Sequence, residues 1–185
     1  MLFIVNCLNI FMEKCDSRRL RVIVEAAQLV RPSRLIVWSN PTQESIGKKE
    51  IEKMKESDLF VYPEIARLNL PISHITSLDK LPREFYEETS RAKEVFLIGC
   101  NVEGWLVKIA IEMWNVYRIR PSIIIDGWFT IGNRGAHGNA LNELTRHFGA
   151  SCFKDWEVMR APILKMRKEL ADSLLASEKK EISSK

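Results

Sequence analysis

Glycine and proline are sparse in this 185-residue chain, with 8 and 7 copies, which excludes collagen-like and low-complexity architectures. Cysteine is scarce too. Cys7, Cys15, Cys100 and Cys152 form no Cys-x-x-Cys pair, so neither a zinc knuckle nor a disulfide framework is indicated. A chain of this length folds without staples, and a reduced cytoplasmic protein is the expectation. Only three histidines are present, His74, His137 and His147, and none shows metal-ligand spacing, so no metal or other cofactor is expected. No apolar run approaches the roughly 20 residues of a membrane span. The apolar start, Met1 to Met12, lacks a basic leader region and is broken by Asn6 and Asn9, so it reads as a buried strand. Neither charge dominates: 28 basic and 24 acidic residues leave a net +4, too mild to argue for nucleic acid.

Hydrophobic residues make up 46% of the chain and charged residues 28%, which excludes wholesale disorder and fits one globular domain. Short apolar runs alternate with longer helical patterns. The runs are Leu2–Val5, Leu35–Trp38, Leu59–Tyr62, Val95–Ile98 and Ile123–Ile125. They are too short for helices, and most read as strands buried on both faces. Helices are expected at Arg18–Val30, capped by Asp16 or Ser17, and at Ser45–Glu56, Pro82–Ala92 and Glu103–Tyr117. Two more are expected, one at Asn139–Phe148, ended by Gly149, and one carrying Ile163, Met166, Leu170 and Leu174 on one face. That last stripe packs either on the core or on a second copy. A single domain over 1–176 with a polar tail over 177–185 follows.

Strand–helix–strand alternation implies a three-layer α/β/α sandwich with a mainly parallel sheet of about six strands. Ligands of such sheets sit beyond the carboxyl ends of the strands. Those ends carry Asn6-Cys7, Ser39-Asn40, Gly99 to Glu103, and Asp126 to Trp128. Cys7, Asn101, Glu103, Asp126 and Trp128 are therefore the candidate pocket residues for a small-molecule ligand.

Three stretches are similar to one family. The opening Leu2-Phe3-Ile4-Val5-Asn6-Cys7-Leu8-Asn9-Ile10-Phe11, the run from Val95 through Gly99-Cys100-Asn101-Val102-Glu103-Gly104-Trp105-Leu106, and Ile123-Ile124-Ile125-Asp126-Gly127 with His137, Ala140-Leu141 and Phe148-Gly149-Ala150 resemble the isochorismatase-like cysteine hydrolases. The resemblance covers both ends of the chain in order and matches poorly from Pro41 to Arg91. It implies the Rossmann-like fold of that superfamily. It also implies a Cys thiolate at a helix N-terminus as nucleophile, an Asp at the end of the first strand as base, and a Lys that lowers the thiol pKa. Here the Asp position reads Asn6 and the Cys position reads Trp105. Lys80 is the nearest match for the Lys, about eight residues closer to Gly99 than family spacing implies. The family's oxyanion hole, with a cis peptide after the strand, would fall near Cys100-Asn101, where the negative charge of Glu103 opposes an anion.

Three functions are thus open. The chain is a catalytically degenerate member with a binding or assembly role, or a hydrolase of a small C–N or related bond using Cys100 or Lys80 in a rearranged site. The third reading is a phosphate or nucleotide binder using Gly132, Gly135 and Gly138, read as a loop before a helix. Oligomers are common in the resembled family, which implies self-association.

Overall fold

The fold is described from a computed structural model, over residues 1–12, 15–38, 60–75, 81, 83–100, 102–130 and 134–183. Six strands form one sheet in the order β3-β2-β1-β4-β5-β6. They are β1 (Leu2–Val5), β2 (Ser33–Trp38), β3 (Ile72–Ile75), β4 (Phe96–Cys100), β5 (Ser122–Phe129) and β6 (Phe153–Lys154). Every pairing is parallel.

Alternate residues of each strand enter opposite layers, as the period of two requires. Phe3, Val5, Ile36, Leu97 and Ile123 join one core cluster. Leu2, Ile4, Leu35, Val37, Ile98, Cys100 and Ile124 join the other. The first cluster is covered by α4 (Arg83–Thr89), α5 (Val107–Tyr117) and α6 (Arg134–Phe148), through Phe85, Ile109, Ala110, Met113, Leu144 and Phe148. Phe85 of α4 stacks on Phe3 with ring centroids 4.1 Å apart. The second cluster is covered by the short α1 (Asn9–Met12) and α3 (Pro63–Ala66), by α2 (Ser17–Leu29) and by the start of α7 (Trp156–Ser183). The sheet is therefore buried on both faces, which explains why its central strands are continuous apolar runs.

Local chemistry sets the ends of the helices. The Asp16 side chain caps α2, accepting from the Arg19 N–H at 2.8 Å. Helix α5 ends at Arg118 in the left-handed region, where the Arg118 and Ile119 N–H groups return to Trp114 O and Met113 O, both at 3.0 Å.

Several expected boundaries are corrected. Leu59–Tyr62 is not a strand over its described residues. Val61 makes only an isolated antiparallel bridge to Leu8, and Leu59 lies outside the described residues. The strand in that part of the chain is Ile72–Ile75, an edge strand whose Ser73 and His74 broke the apolar pattern. The helix expected from Asn139 begins earlier, at Arg134. Gly135 and Gly138 therefore lie inside its first turns, while Gly132 is outside the described residues. Strand β5 extends past Ile125 to Phe129, so Trp128 belongs to the strand itself and not to the segment beyond its end. The helix α7 continues through Ser183, past the start of the polar tail at Ser177. The helix expected at Ser45–Glu56 lies outside the described residues. No helix among the described residues is long and apolar enough to cross a membrane.

Candidate functional site

The carboxyl ends of β1, β4 and β5 lie side by side, and two glycines make this possible. Gly99 of β4 is paired with Val5 of β1 and has φ +119°, open to glycine alone. A Cβ there would collide with Val5 O and lie 2.9 Å from Val5 N. Gly127 of β5 leaves room for the Ile98 side chain in the same way. The β4–β5 register jumps between Leu97↔Ile123 and Gly99↔Trp128. Three extra β5 residues are accommodated there, and the irregularity carries Trp128 and Phe129 opposite Gly99 and Cys100.

Asn6 follows β1 and is fully buried, in the left-handed region at φ 50°, a conformation that Asn tolerates better than most residues. Its N–H donates to Ile36 O at 2.9 Å and so extends the rung to β2. Beyond β4, a π-helical turn over Val102–Leu106 leads into α5. Such turns are rare and concentrate at functional sites. Trp105 falls within this turn, is 2% exposed and belongs to the core cluster that holds Val5 and Trp128. Trp128 meets His137 of α6 edge-on at 5.0 Å and Phe153 of β6 at 5.8 Å. Aromatic packing thus fills the α5–α6 side of this corner.

The two thiols lie on the other side of the sheet. Cys7 and Cys100 are both fully buried in the cluster under α2 and α7. Burial, with the nearby Cys15 as a smaller contribution, pushes the Cys7 thiol far above its ordinary range. Cys7 Sγ faces Val5 O at 3.8 Å. The structure therefore separates these thiols from Trp105 by the thickness of the sheet.

Asp126 sits in the irregular part of β5, and its carboxylate accepts from the Trp156 N–H at 2.6 Å, at the first turn of α7. Trp156 Nε1 donates to Glu25 of α2 at 2.9 Å, and Glu25 is ion-paired with Arg160 at 2.6 Å. Asp126 is thus committed to tying β5 to α7 and α2. Glu103 lies in the π turn, while Lys80 and Asn101 lie outside the described residues, as does the Cys100–Asn101 peptide. Among the described residues, no three His, Cys, Asp or Glu side chains gather as a metal site.

One residue at this edge escaped the sequence reading. Arg19 of α2 donates from Nε to Trp128 O at 3.0 Å and is ion-paired with Asp16. Its only sequence signal is the helix-start spacing Asp16 to Arg19, which reads as a cap and not as a contact with a strand more than a hundred residues away.

No family model matches the sequence, and no curated relative matches it. Solved structures do. The chain is similar to the MAR1 ribonuclease from Caenorhabditis elegans, with TM-score 0.63 and 13% identity over 88% of this chain and 78% of that one. It is similar to an isochorismatase-like hydrolase from Alkaliphilus metalliredigens, with TM-score 0.63 and 12% identity over 85% and 95%. A nicotinamidase from Bacillus subtilis gives TM-score 0.61 and 14% identity over 80% and 96%. At such identities the likeness speaks for the fold. With six parallel strands, helices on both faces and these neighbours, the chain has the isochorismatase-like α/β fold.

Proposed function

We propose that this chain is an isochorismatase-like protein that has lost the covalent cysteine chemistry and acts by binding or assembly. One observation carries the reading: Trp105, at the position where the resemblance expects the nucleophile, is a buried core residue. Indole offers neither a nucleophilic sulfur nor an ionisable proton donor, and loss of a covalent nucleophile costs orders of magnitude in rate. Asn6 at the base position hydrogen-bonds but accepts no proton at neutral pH. The burial of Cys7 and Cys100 on the opposite face of the sheet supports the same reading over a rearranged site. A reducing compartment, the cytoplasm, is supported by four cysteines that are all free.

The assembly side of the proposal rests on α7. Met166, Leu170 and Leu174 recur every four residues on one face and are 69%, 60% and 57% exposed. Of the expected stripe, Ile163 packs on the core cluster under α2, while the three residues that follow it do not, which favours a second copy as the occupant of that exposed part.

The test is ammonia release from a panel of small amides. The wild type is compared with the double variant Asn6→Asp, Trp105→Cys, each verified as folded by circular dichroism. A silent wild type supports the proposal, and activity gained by the double variant would assign the lost chemistry to these two positions. Wild-type turnover abolished by Cys100→Ala would establish the rearranged hydrolase instead.

A further inference from the structure

A cavity lies at the opposite edge of the sheet from the site above. All strands are parallel, so their amino ends share one edge. Backbone bonds hold that edge together, among them Leu2 N–H to Pro32 O at 3.0 Å, Leu35 N–H to Pro71 O at 2.9 Å, and Phe96 N–H to Met1 O at 2.9 Å. Between the segments entering β1, β2, β3 and β4 lies a cavity of about 480 Å³, lined by Met1, Pro32, Arg34, Pro71, Arg91 and Ala92. That volume is in the range of small-molecule sites. At roughly 3.3 Å per residue, the four residues of β1 place it about 13 Å from the carboxyl ends.

We propose that this cavity binds a small carboxylate with an apolar, ring-like body. Met1, Pro32, Pro71 and Ala92 supply apolar walls, and the prolines are rigid. Arg34 and Arg91 supply two guanidinium groups, whose planar forks match a carboxylate bidentately. Arg34 is half-buried, and its Nη1 donates to Ser73 Oγ of β3 at 3.0 Å, which fixes the plane of its fork. Arg91 is exposed at the mouth and free to swing without disturbing the core. Among the described residues, Glu94, beside Met1, is an acid that would oppose an anion, and its carboxylate accepts from Ser122 Oγ of β5 at 3.0 Å, on the far side of β4. Two guanidinium groups on apolar walls select an amphipathic anion over a bare one such as phosphate, which would leave those walls wet.

The test is a calorimetric titration of the full chain with 1-naphthoate, 1-naphthamide and inorganic phosphate, with amide chemical shifts to locate the bound probe. Naphthoate is expected to bind at least ten times more tightly than naphthamide or phosphate, and to shift the amides of Arg34, Arg91 and Ala92. One charge-assisted hydrogen bond lost corresponds to about a tenfold change. Arg91→Gln, at an exposed position, is expected to weaken naphthoate about tenfold and naphthamide less than twofold. Arg91→Lys is expected to recover part of that loss. Equal affinity for naphthoate and naphthamide, tighter binding of phosphate than of naphthoate, an unaffected Arg91→Gln variant, shifts confined to the carboxyl ends of β1 and β4, or no binding at millimolar naphthoate would each overturn the proposal.

Discussion

Replacing Trp105 with alanine removes an indole that is 2% exposed from the cluster formed with Phe3, Val5, Leu97 and Trp128. Large-to-small changes of this kind cost about 3–5 kcal/mol, the sum of lost transfer energy and the void left behind. For a chain of this length each kcal/mol lowers Tm by about 2–4 °C, so a drop of about 6–20 °C is expected. A void bounded by aromatic and aliphatic side chains stays dry and accepts an apolar guest. Free indole should therefore stabilise Trp105→Ala and leave the wild type unmoved. At a hundredfold excess over its Kd, indole returns about 2.7 kcal/mol. The assay is urea unfolding of both proteins with and without indole, read by circular dichroism. A loss under about 1 kcal/mol would show that Trp105 is not core. A loss of about 1–3 kcal/mol without rescue would show that the π turn collapses onto the vacated space. Either result would refute the view that Trp105 fills a preformed corner of the fold.

Other outcomes follow from the same geometry. Gly99→Ala places a methyl against the Val5 backbone at φ +119°, and strain together with overpacking should cost about 3 kcal/mol or more, read as a lowered urea midpoint. Asp126→Ala removes the carboxylate that accepts from the first N–H of α7, and should cost about 1–2 kcal/mol with faster amide exchange in the first turn of that helix. Burial, then the Asp16 charge, push the half-exposed Cys15 thiol up to about 11, against roughly 8.5 for an ordinary thiol. Iodoacetamide labelling of Cys15 should therefore climb through pH 8–10 and level off only near 11, and Cys7 should stay unlabelled until the chain is unfolded. Because the folded thiols ionise later than the unfolded ones, their contribution to stability is intact below about pH 8.5 and is lost as pH rises towards the folded values. The urea midpoint should accordingly fall between pH 8 and 10, and fall less in Cys7→Ala.

The sheet was legible where strands are buried on both faces. Leu2–Val5 and the cores of β2, β4 and β5 read directly as apolar runs, because no solvent-facing residue interrupts them. Edge strands carry less information. Ile72–Ile75 has one covered residue in four, and β6 has only two residues, so neither produces a periodic signal. Helix α6 begins before its apolar pattern does: Gly135 and Gly138 have poor helix propensity, while its register is held by tertiary contacts, among them His137 on the Trp128 ring.

The site divides along the same line, between what pattern records and what only packing decides. The order of the runs puts Asn6 and Trp105 each just beyond a strand end, and it is the pairing of Val5 with Gly99 in the structure that makes those strands neighbours. Which face of the sheet each thiol occupies does not follow. Cys100 directly succeeds Gly99 and precedes the helix that carries Trp105, and proximity in sequence suggested a substitute nucleophile. Strand alternation sends Ile98 and Cys100 under α2 and leaves Leu97 with α5. Asp126 shows the same limit in another form. A carboxylate at a strand end invites a chemical role, yet the next helix starts against it and its oxygen accepts from the Trp156 N–H. In a parallel sheet the carboxyl edge is where ligands gather and also where helices begin. An acid found there is a catalytic candidate only after the N–H groups of those first turns have been given their partners.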